Sequence, residues 1–199
     1  MAAVRTGLIV LIAILGVAFA WLAFEWSRSD AGPGGGPFGV TFELVDQTGA
    51  PITQAAFQEK PTALFFGFTH CPEVCPTTLF EMDAWLRQVD PEGDKINAYF
   101  ITVDPERDNE EVLDAYVSSV SDRIVGITGE PAKVRDMARG YRVFFEKVPT
   151  DTSDPDGDYT MNHTASVFLL ADGGRFQGTI AYGEDTDVAV SKLQNLISG

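Results

Sequence analysis

The hydrophobic pattern of the chain alternates between continuous apolar runs and segments with helical spacing. The runs at residues 62–68 and 96–103 are typical of strands that are buried on both faces of a sheet. Residues 77–89 and 109–120 instead place apolar side chains three and four positions apart, which predicts helices. Shorter strands are predicted at 38–45, 124–128 and 142–148.

The last third of the chain predicts a hairpin followed by a helix. The turn Asp172-Gly173-Gly174 joins an apolar strand at residues 164–170 to a second strand at 175–182. Residues 186–197 predict the final helix, and Pro131 suits the first turn of an earlier one. Strand–helix–strand units that precede a hairpin and a helix predict an α/β sandwich with a central mixed sheet.

The first thirty residues predict one N-terminal transmembrane helix. No charge interrupts the apolar stretch from Thr6 to Phe24, and a helix of that length spans about 28 Å, close to the roughly 30 Å of the hydrocarbon core. Arg5 precedes the stretch, whereas the residues that follow it up to Asp30 are net negative. The positive-inside rule therefore predicts a cytoplasmic N-terminus and an exported domain after residue 30.

A cleaved signal peptide is the alternative, because Ala18-Phe19-Ala20 has the small-x-small form of a cleavage site. The apolar run continues beyond that site to Phe24, which favours an uncleaved anchor. The segment also lacks the Arg- and Ser-rich pattern of an organelle transit peptide. We therefore expect a single-pass protein of the bacterial inner (cytoplasmic) membrane, with its C-terminal domain in the periplasm.

The glycine- and proline-rich segment AGPGGGP at residues 31–37 predicts a tether, because it can neither hold a helix nor bury a face. The expected organisation is an anchor with its flanks at 1–30, this tether, and an exported domain at 38–199. The chain has 14 basic and 29 acidic residues and a net charge of −15. Because residues 1–30 carry equal numbers of each sign, the domain holds all of that charge, which excludes nucleic acid as a partner.

Cys71 and Cys75, the two cysteines of the chain, lie between a predicted buried strand and a predicted helix. This position of a C-x-x-x-C motif indicates a thioredoxin-like version of the sandwich. A helix N-terminus stabilises thiolates there, so the pair can form a structural disulfide, exchange disulfides or bind a soft metal. A structural bridge across so short a loop would constrain the unfolded chain little, which favours redox or metal chemistry.

A metal at the cysteine pair needs a further ligand, and the chain has two histidines, His70 and His163. Two thiolates with one imidazole suit copper, as Cu(I) or as Cu(II). Structural zinc would require a fourth protein ligand, and no third cysteine is present. Spacing alone does not choose between the two histidines.

Residues 68–79, FTHCPEVCPTTL, closely resemble the signature of the Sco/SenC family of membrane-anchored copper chaperones. Segments at 102–108, 126–129 and 158–164 match the family in the expected order. The resemblance implies a thioredoxin-like fold and copper ligands at Cys71, Cys75 and His163. His70 is then not a ligand.

The resemblance also implies a function: a copper metallochaperone, rather than an enzyme, that helps to metallate the dinuclear copper centre of cytochrome c oxidase subunit II. Another copper chaperone is a candidate donor. The alternatives are a membrane-anchored thiol-disulfide oxidoreductase that reduces the cysteines of the oxidase subunit, and a copper or redox sensor. The extra residue between the cysteines, and the absence of a proline before the strand after His163, favour the chaperone over the oxidoreductase.

Four features near these motifs concern the tuning of the copper site or the structure around it. Many relatives have aspartate immediately before the histidine, where this chain has Asn162, and this difference concerns the tuning of the site rather than copper binding. Asp158 is expected to cap a loop or to tune the site. Met161 is a soft donor that we expect to pack in the core, and residues 104–108, DPERD, are expected to be structural.

Overall fold

The computed structural model describes Thr6 and residues 15–21, 38–154 and 157–199. The chain divides into two compact units, Met1–Gly36 and Pro37–Gly199. In the first unit, residues 15–21 are helical. No helix among the described residues combines the length and the apolar character that crossing a membrane requires. The predicted anchor lies largely, and the predicted tether entirely, outside the described residues.

The second unit contains nine strands, four α-helices and two short 3₁₀ helices (Gln54–Phe57 and Asp172–Gly174) in its described part. The strands are β1 (Glu43–Asp46), β2 (Pro51–Thr53), β3 (Thr62–Gly67), β4 (Asn97–Thr102), β5 (Ile124–Thr128), β6 (Phe145–Pro149), β7 (Tyr159–His163), β8 (Ser166–Ala171) and β9 (Arg175–Ala181). The helices are α1 (Val74–Val89), α2 (Glu110–Ser118), α3 (Pro131–Gly140) and α4 (Thr186–Ser198).

Seven of the strands form one mixed sheet in the order β2-β1-β5-β4-β3-β8-β9. β3, β4 and β5 pair in parallel, with α1 and α2 as their connections, whereas the remaining neighbours pair antiparallel. The predicted mixed sheet is therefore confirmed. β6 and β7 form a separate antiparallel hairpin in which Phe145 faces His163 and Pro149 faces Tyr159.

The core lies on both faces of the central strands. All six residues of β3 are buried. On one face, Phe65 contacts Phe100 of β4, whose ring in turn contacts Tyr116 of α2. On the other face, Phe66 contacts the ring of the fully buried Tyr141, which follows α3. Continuous apolar runs are therefore required in β3 and β4, because helices or loops cover both sides of these strands.

Several elements differ from the sequence-based expectation: the strand predicted at 38–45 begins only at Glu43, and β2 was not predicted. The predicted strand at 142–148 begins only at Phe145, because Arg142 has a φ of 58° and so lies in the left-handed region, which a strand cannot include. β7 lies in a segment for which no element was predicted. Its residues alternate around a single buried side chain, Met161, so no continuous apolar run marks this strand.

The buried carboxylate of Asp108 joins the loop after β3 to the end of β4. Its Oδ2 accepts hydrogen bonds from the backbone N–H of Thr69 at 2.9 Å and from the hydroxyl of Thr102 at 2.6 Å. Its Oδ1 accepts the hydroxyl of Thr69 at 2.6 Å. Asp108 therefore fixes the segment that leads directly into the first cysteine.

We predict that Asp108→Ala lowers the free energy of unfolding by about 3 kcal/mol, because it leaves a buried hydroxyl and a backbone N–H without their acceptor. Urea denaturation followed by tryptophan fluorescence measures the change. Asp136→Ala is the matched control, since Asp136 is exposed on α3. A loss in Asp108→Ala no larger than in the control would contradict this role.

Candidate metal centre

The two cysteines lie on either side of the start of α1. Cys71 is in the loop, three residues before the helix begins at Val74, and Cys75 is in the first turn. Glu73 is the N-cap residue, but its side chain makes no capping hydrogen bond. Instead, the backbone N–H of Cys75 donates to the sulfur of Cys71 at 3.3 Å. The first cysteine therefore occupies the position of a capping group, where the helix dipole favours negative charge.

The second cysteine is fully buried against the end of β3. A Cβ atom at Gly67 would lie 2.9 Å from the sulfur of Cys75 and 2.7 Å from the ring of Phe100. Any larger residue at position 67 would therefore displace one of these groups. The absence of a side chain at Gly67 makes room for the sulfur, and this requirement is not visible in the local sequence pattern.

His163 ends β7 and faces the cysteines. Its Nε2 lies 3.4 Å from the sulfur of Cys75, and its Nδ1 lies 3.1 Å from the backbone carbonyl oxygen of Thr164. A proton on Nδ1 satisfies that carbonyl and leaves the lone pair of Nε2 directed at the sulfur. The edges of Phe65 and Phe68 pack around the imidazole, with ring centroids 6.1 and 5.8 Å away.

The three side chains converge on one point. One potential ligand atom from each of Cys71, Cys75 and His163 lies within 4.8 Å of the other two. The donor set consists of two sulfurs and one imidazole nitrogen, the combination that suits copper better than magnesium, calcium or a four-coordinate structural zinc. Residues 71 and 163 are far apart in sequence, so the fold is what creates the group.

The two thiols have opposite electrostatic environments. The pKa of Cys71 is lowered to about 4, chiefly because the thiol of Cys75 donates a hydrogen bond to its sulfur, and the backbone N–H groups of Cys75 and Glu73 add to this against the effect of burial. The pKa of Cys75 is raised, because its proton is held by the bond to Cys71 and because burial disfavours its charged form. The metal-free reduced pair therefore holds a thiolate at Cys71 and a proton at Cys75.

His70 does not join the group of three. Its side chain is 54% exposed, with Nδ1 at 3.1 Å from the hydroxyl oxygen of Thr69 and at 3.8 Å from Oδ1 of Asp108. These contacts hold the ring beside Thr69 and Asp108. The structure thus distinguishes the two histidines that spacing alone could not.

The remaining candidates lie around the centre rather than in it. Asn162 is exposed, and its amide lies 3.5 Å from the carboxylate of Glu146 on the neighbouring strand. Asp158 is 81% exposed, and one of its oxygens lies 3.6 Å from the guanidinium of Arg107. Met161 is buried among the core residues, as expected.

We predict that Cys71 in the reduced, metal-free protein is alkylated by iodoacetamide at its full rate already at about pH 6, because its thiolate protonates only as the pH falls through about 4. Cys75 should stay unmodified while the domain is folded. Mass spectrometry of alkylated peptides over a pH series measures both. A midpoint for Cys71 near the ordinary thiol value of about 8.5 would contradict the prediction.

The SCO1/SenC family model matches residues 31–198 of this chain. The mitochondrial SCO2 homolog of Mus musculus is 31% identical over 193 residues, which cover 92% of this chain and 74% of the mouse protein. The chain spans about half the length of two other curated relatives, SCO1 homolog 1 of Arabidopsis thaliana and SCO2 of Saccharomyces cerevisiae, at 46% and 52%.

Two solved structures with copper bound are similar to the domain. ScoI of Bradyrhizobium japonicum is 42% identical with a TM-score of 0.72, and the match covers 80% of this chain and 99% of that chain. Yeast Sco1 is 30% identical with a TM-score of 0.73, and the match covers 82% and 90%. These similarities confirm the predicted thioredoxin-like fold, and with the family model they show that this chain belongs to the SCO1/SenC family.

Proposed function

We propose that this protein binds one copper ion through Cys71, Cys75 and His163 and acts as a copper metallochaperone. The observation that carries the proposal is the convergence of the three ligand atoms within 4.8 Å. Two relatives of similar structure, 42% and 30% identical, hold copper. The donor set is soft enough for Cu(I), and the imidazole also suits Cu(II).

The electrostatics of the pair indicate how copper would enter. Cys71 is already a thiolate, and its side chain is only partly buried, whereas Cys75 is fully buried. Cys75 is buried and still protonated, so its proton must leave when the second sulfur binds the ion. We infer that copper first meets Cys71 and is then enclosed by Cys75 and His163.

The proposed recipient is the dinuclear copper centre of cytochrome c oxidase subunit II, with another copper chaperone as a candidate donor. This assignment rests on the resemblance to the Sco/SenC signature in residues 68–79. An anchor at residues 1–30 and a tether at 31–37 would hold the domain at the periplasmic face of a bacterial inner membrane. Confinement there would raise the effective concentration of the domain near a membrane-bound oxidase.

The second candidate is reduction of a protein disulfide, which the thiolate at Cys71 favours. That sulfur would attack one sulfur of the substrate disulfide, forming a mixed disulfide and releasing a substrate thiolate. Cys75, after losing its proton to a base such as the neighbouring imidazole of His163, would then attack Cys71. The products are a reduced substrate and a Cys71–Cys75 disulfide. The extra residue between the cysteines and the absence of a proline before the strand after His163 place this reaction below copper transfer.

We predict that the reduced full chain, titrated anaerobically with Cu(I) against a competing chelator, binds one equivalent of copper. His163→Ala should weaken binding by roughly 100-fold or more, because it removes a ligand rather than an outer contact. His70→Ala is the matched control and should bind like wild type.

Two results would contradict the copper proposal. The first is equal affinity in all three proteins. The second is tight binding that persists in the double variant Cys71→Ser/Cys75→Ser. Rapid turnover of a protein disulfide that His163→Ala leaves unchanged would place the reductase first.

A further inference from the structure

The hairpin that carries His163 is attached to the rest of the domain by side chains rather than by strand pairing. Among the described strands, β6 and β7 pair with each other and with no strand of the main sheet. Met161 is their one fully buried residue. A groove of about 310 Å³, lined in part by Phe145 and Arg135, separates the hairpin from the start of α3. The apolar packing of the hairpin therefore rests on Met161 and on the partly buried Phe145 and Tyr159.

Tyr159, at the far end of β7, supplies a partly buried polar attachment, beside the exposed ion pair of Lys147 on β6 with Glu106. Side chains alternate along a strand, so Tyr159, Met161 and His163 point to the same side, toward the body of the domain. The Tyr159 hydroxyl donates to Oδ1 of Asp104 at 2.8 Å. Asp104 is buried and follows β4, so this bond joins the hairpin to the central sheet.

Arg107 holds the same tyrosine from two further directions. Its guanidinium lies 3.8 Å above the centre of the Tyr159 ring, and its Nη1 donates to the Tyr159 carbonyl oxygen at 2.9 Å. Its Nε donates to Oδ2 of Asp104, which closes a ring of three residues. The side chain of Arg107 is only 20% exposed, so solvent screens these contacts little.

We propose that Asp104, Arg107 and Tyr159 form a clasp that positions His163 for metal binding. The inference rests on the proposed copper function. The clasp lies four residues, about 13 Å, from the histidine along β7. The hydrogen-bonded ladder between β6 and β7 transmits the position of Tyr159 to His163. None of the three residues contacts the thiols, so they are positioning residues.

The clasp affects copper affinity because it sets the fraction of molecules in which the His163 imidazole is aligned with the sulfurs. With the hairpin fixed, Nε2 of His163 already lies 3.4 Å from the sulfur of Cys75 in the metal-free protein. When the hairpin is released, the imidazole spends only part of its time there, and the apparent dissociation constant rises in inverse proportion to that fraction. If the contact merely stabilised the domain, its removal would change copper affinity equally with and without His163.

The test is a double-mutant cycle on copper affinity in the reduced full chain, with Cu(I) and a competing chelator. Tyr159→Phe removes one hydroxyl and keeps the ring under Arg107. We expect about 10-fold weaker binding, the size typical of residues that orient a metal ligand. In a His163→Ala background the same substitution should have no effect, because no imidazole remains to be positioned. Tyr182→Phe, an exposed tyrosine, is the matched control and should bind like wild type.

Unchanged affinity in Tyr159→Phe would overturn the clasp, as would an equal loss with and without His163. If copper binding in the wild type proves independent of His163, the proposed function fails, and amide hydrogen exchange of the metal-free protein still tests the clasp. Faster exchange confined to β6 and β7 in Tyr159→Phe, and absent in Tyr182→Phe, supports it. Equal exchange, or acceleration spread over the whole domain, overturns it.

Discussion

The hydrogen bond from the N–H of Cys75 to the sulfur of Cys71 is the interaction on which the centre depends. It makes a cysteine the capping group of α1, so the positive end of the helix and the first thiolate occupy the same place. With α1 capped in this way, Cys75 in its first turn packs against Gly67, at the end of the buried strand β3. The position of both sulfurs is therefore set by the junction of β3 and α1, before any metal binds.

A single short segment organises both sides of this junction. Asp108 binds the loop that leads to Cys71, through the backbone and hydroxyl of Thr69. Asp104, four residues earlier, binds Tyr159 in the hairpin that ends at His163. Both carboxylates are buried at the end of β4, the strand next to β3. Residues 104–108 therefore have the structural role that the sequence predicts, and they bind the segments that lead to Cys71 and to His163.

More of the fold than of the metal centre can be predicted from the sequence. The runs in β3 and β4 and the helical spacing of α1 and α2 report local burial, so the pattern predicts these elements and the mixed sheet. β7 escapes prediction because a half-exposed strand with one buried residue, Met161, has no distinctive pattern. The Thr69–Asp108 contact joins residues 39 positions apart, and local pattern cannot predict such a pair.

The ligand set shows the same limit. Spacing identifies Cys71 and Cys75 as a chemical pair but leaves His70 and His163 equivalent. Only the resemblance to a family separates them in the sequence. In the structure the distinction is physical, because Thr69 and Asp108 hold the ring of His70 while β7 delivers His163 to the thiols. The role of Gly67 cannot be predicted from the sequence either, because it is to leave space for the sulfur of Cys75, eight residues later.

X-ray absorption at the copper edge tests the central claim most directly. The Cu(I)-loaded full chain should show two sulfur neighbours and one nitrogen neighbour, and His163→Ala should lose the nitrogen and keep both sulfurs. A spectrum with sulfur alone in the wild type, or a nitrogen neighbour that persists in His163→Ala, would contradict the claim that Cys71, Cys75 and His163 form the copper site.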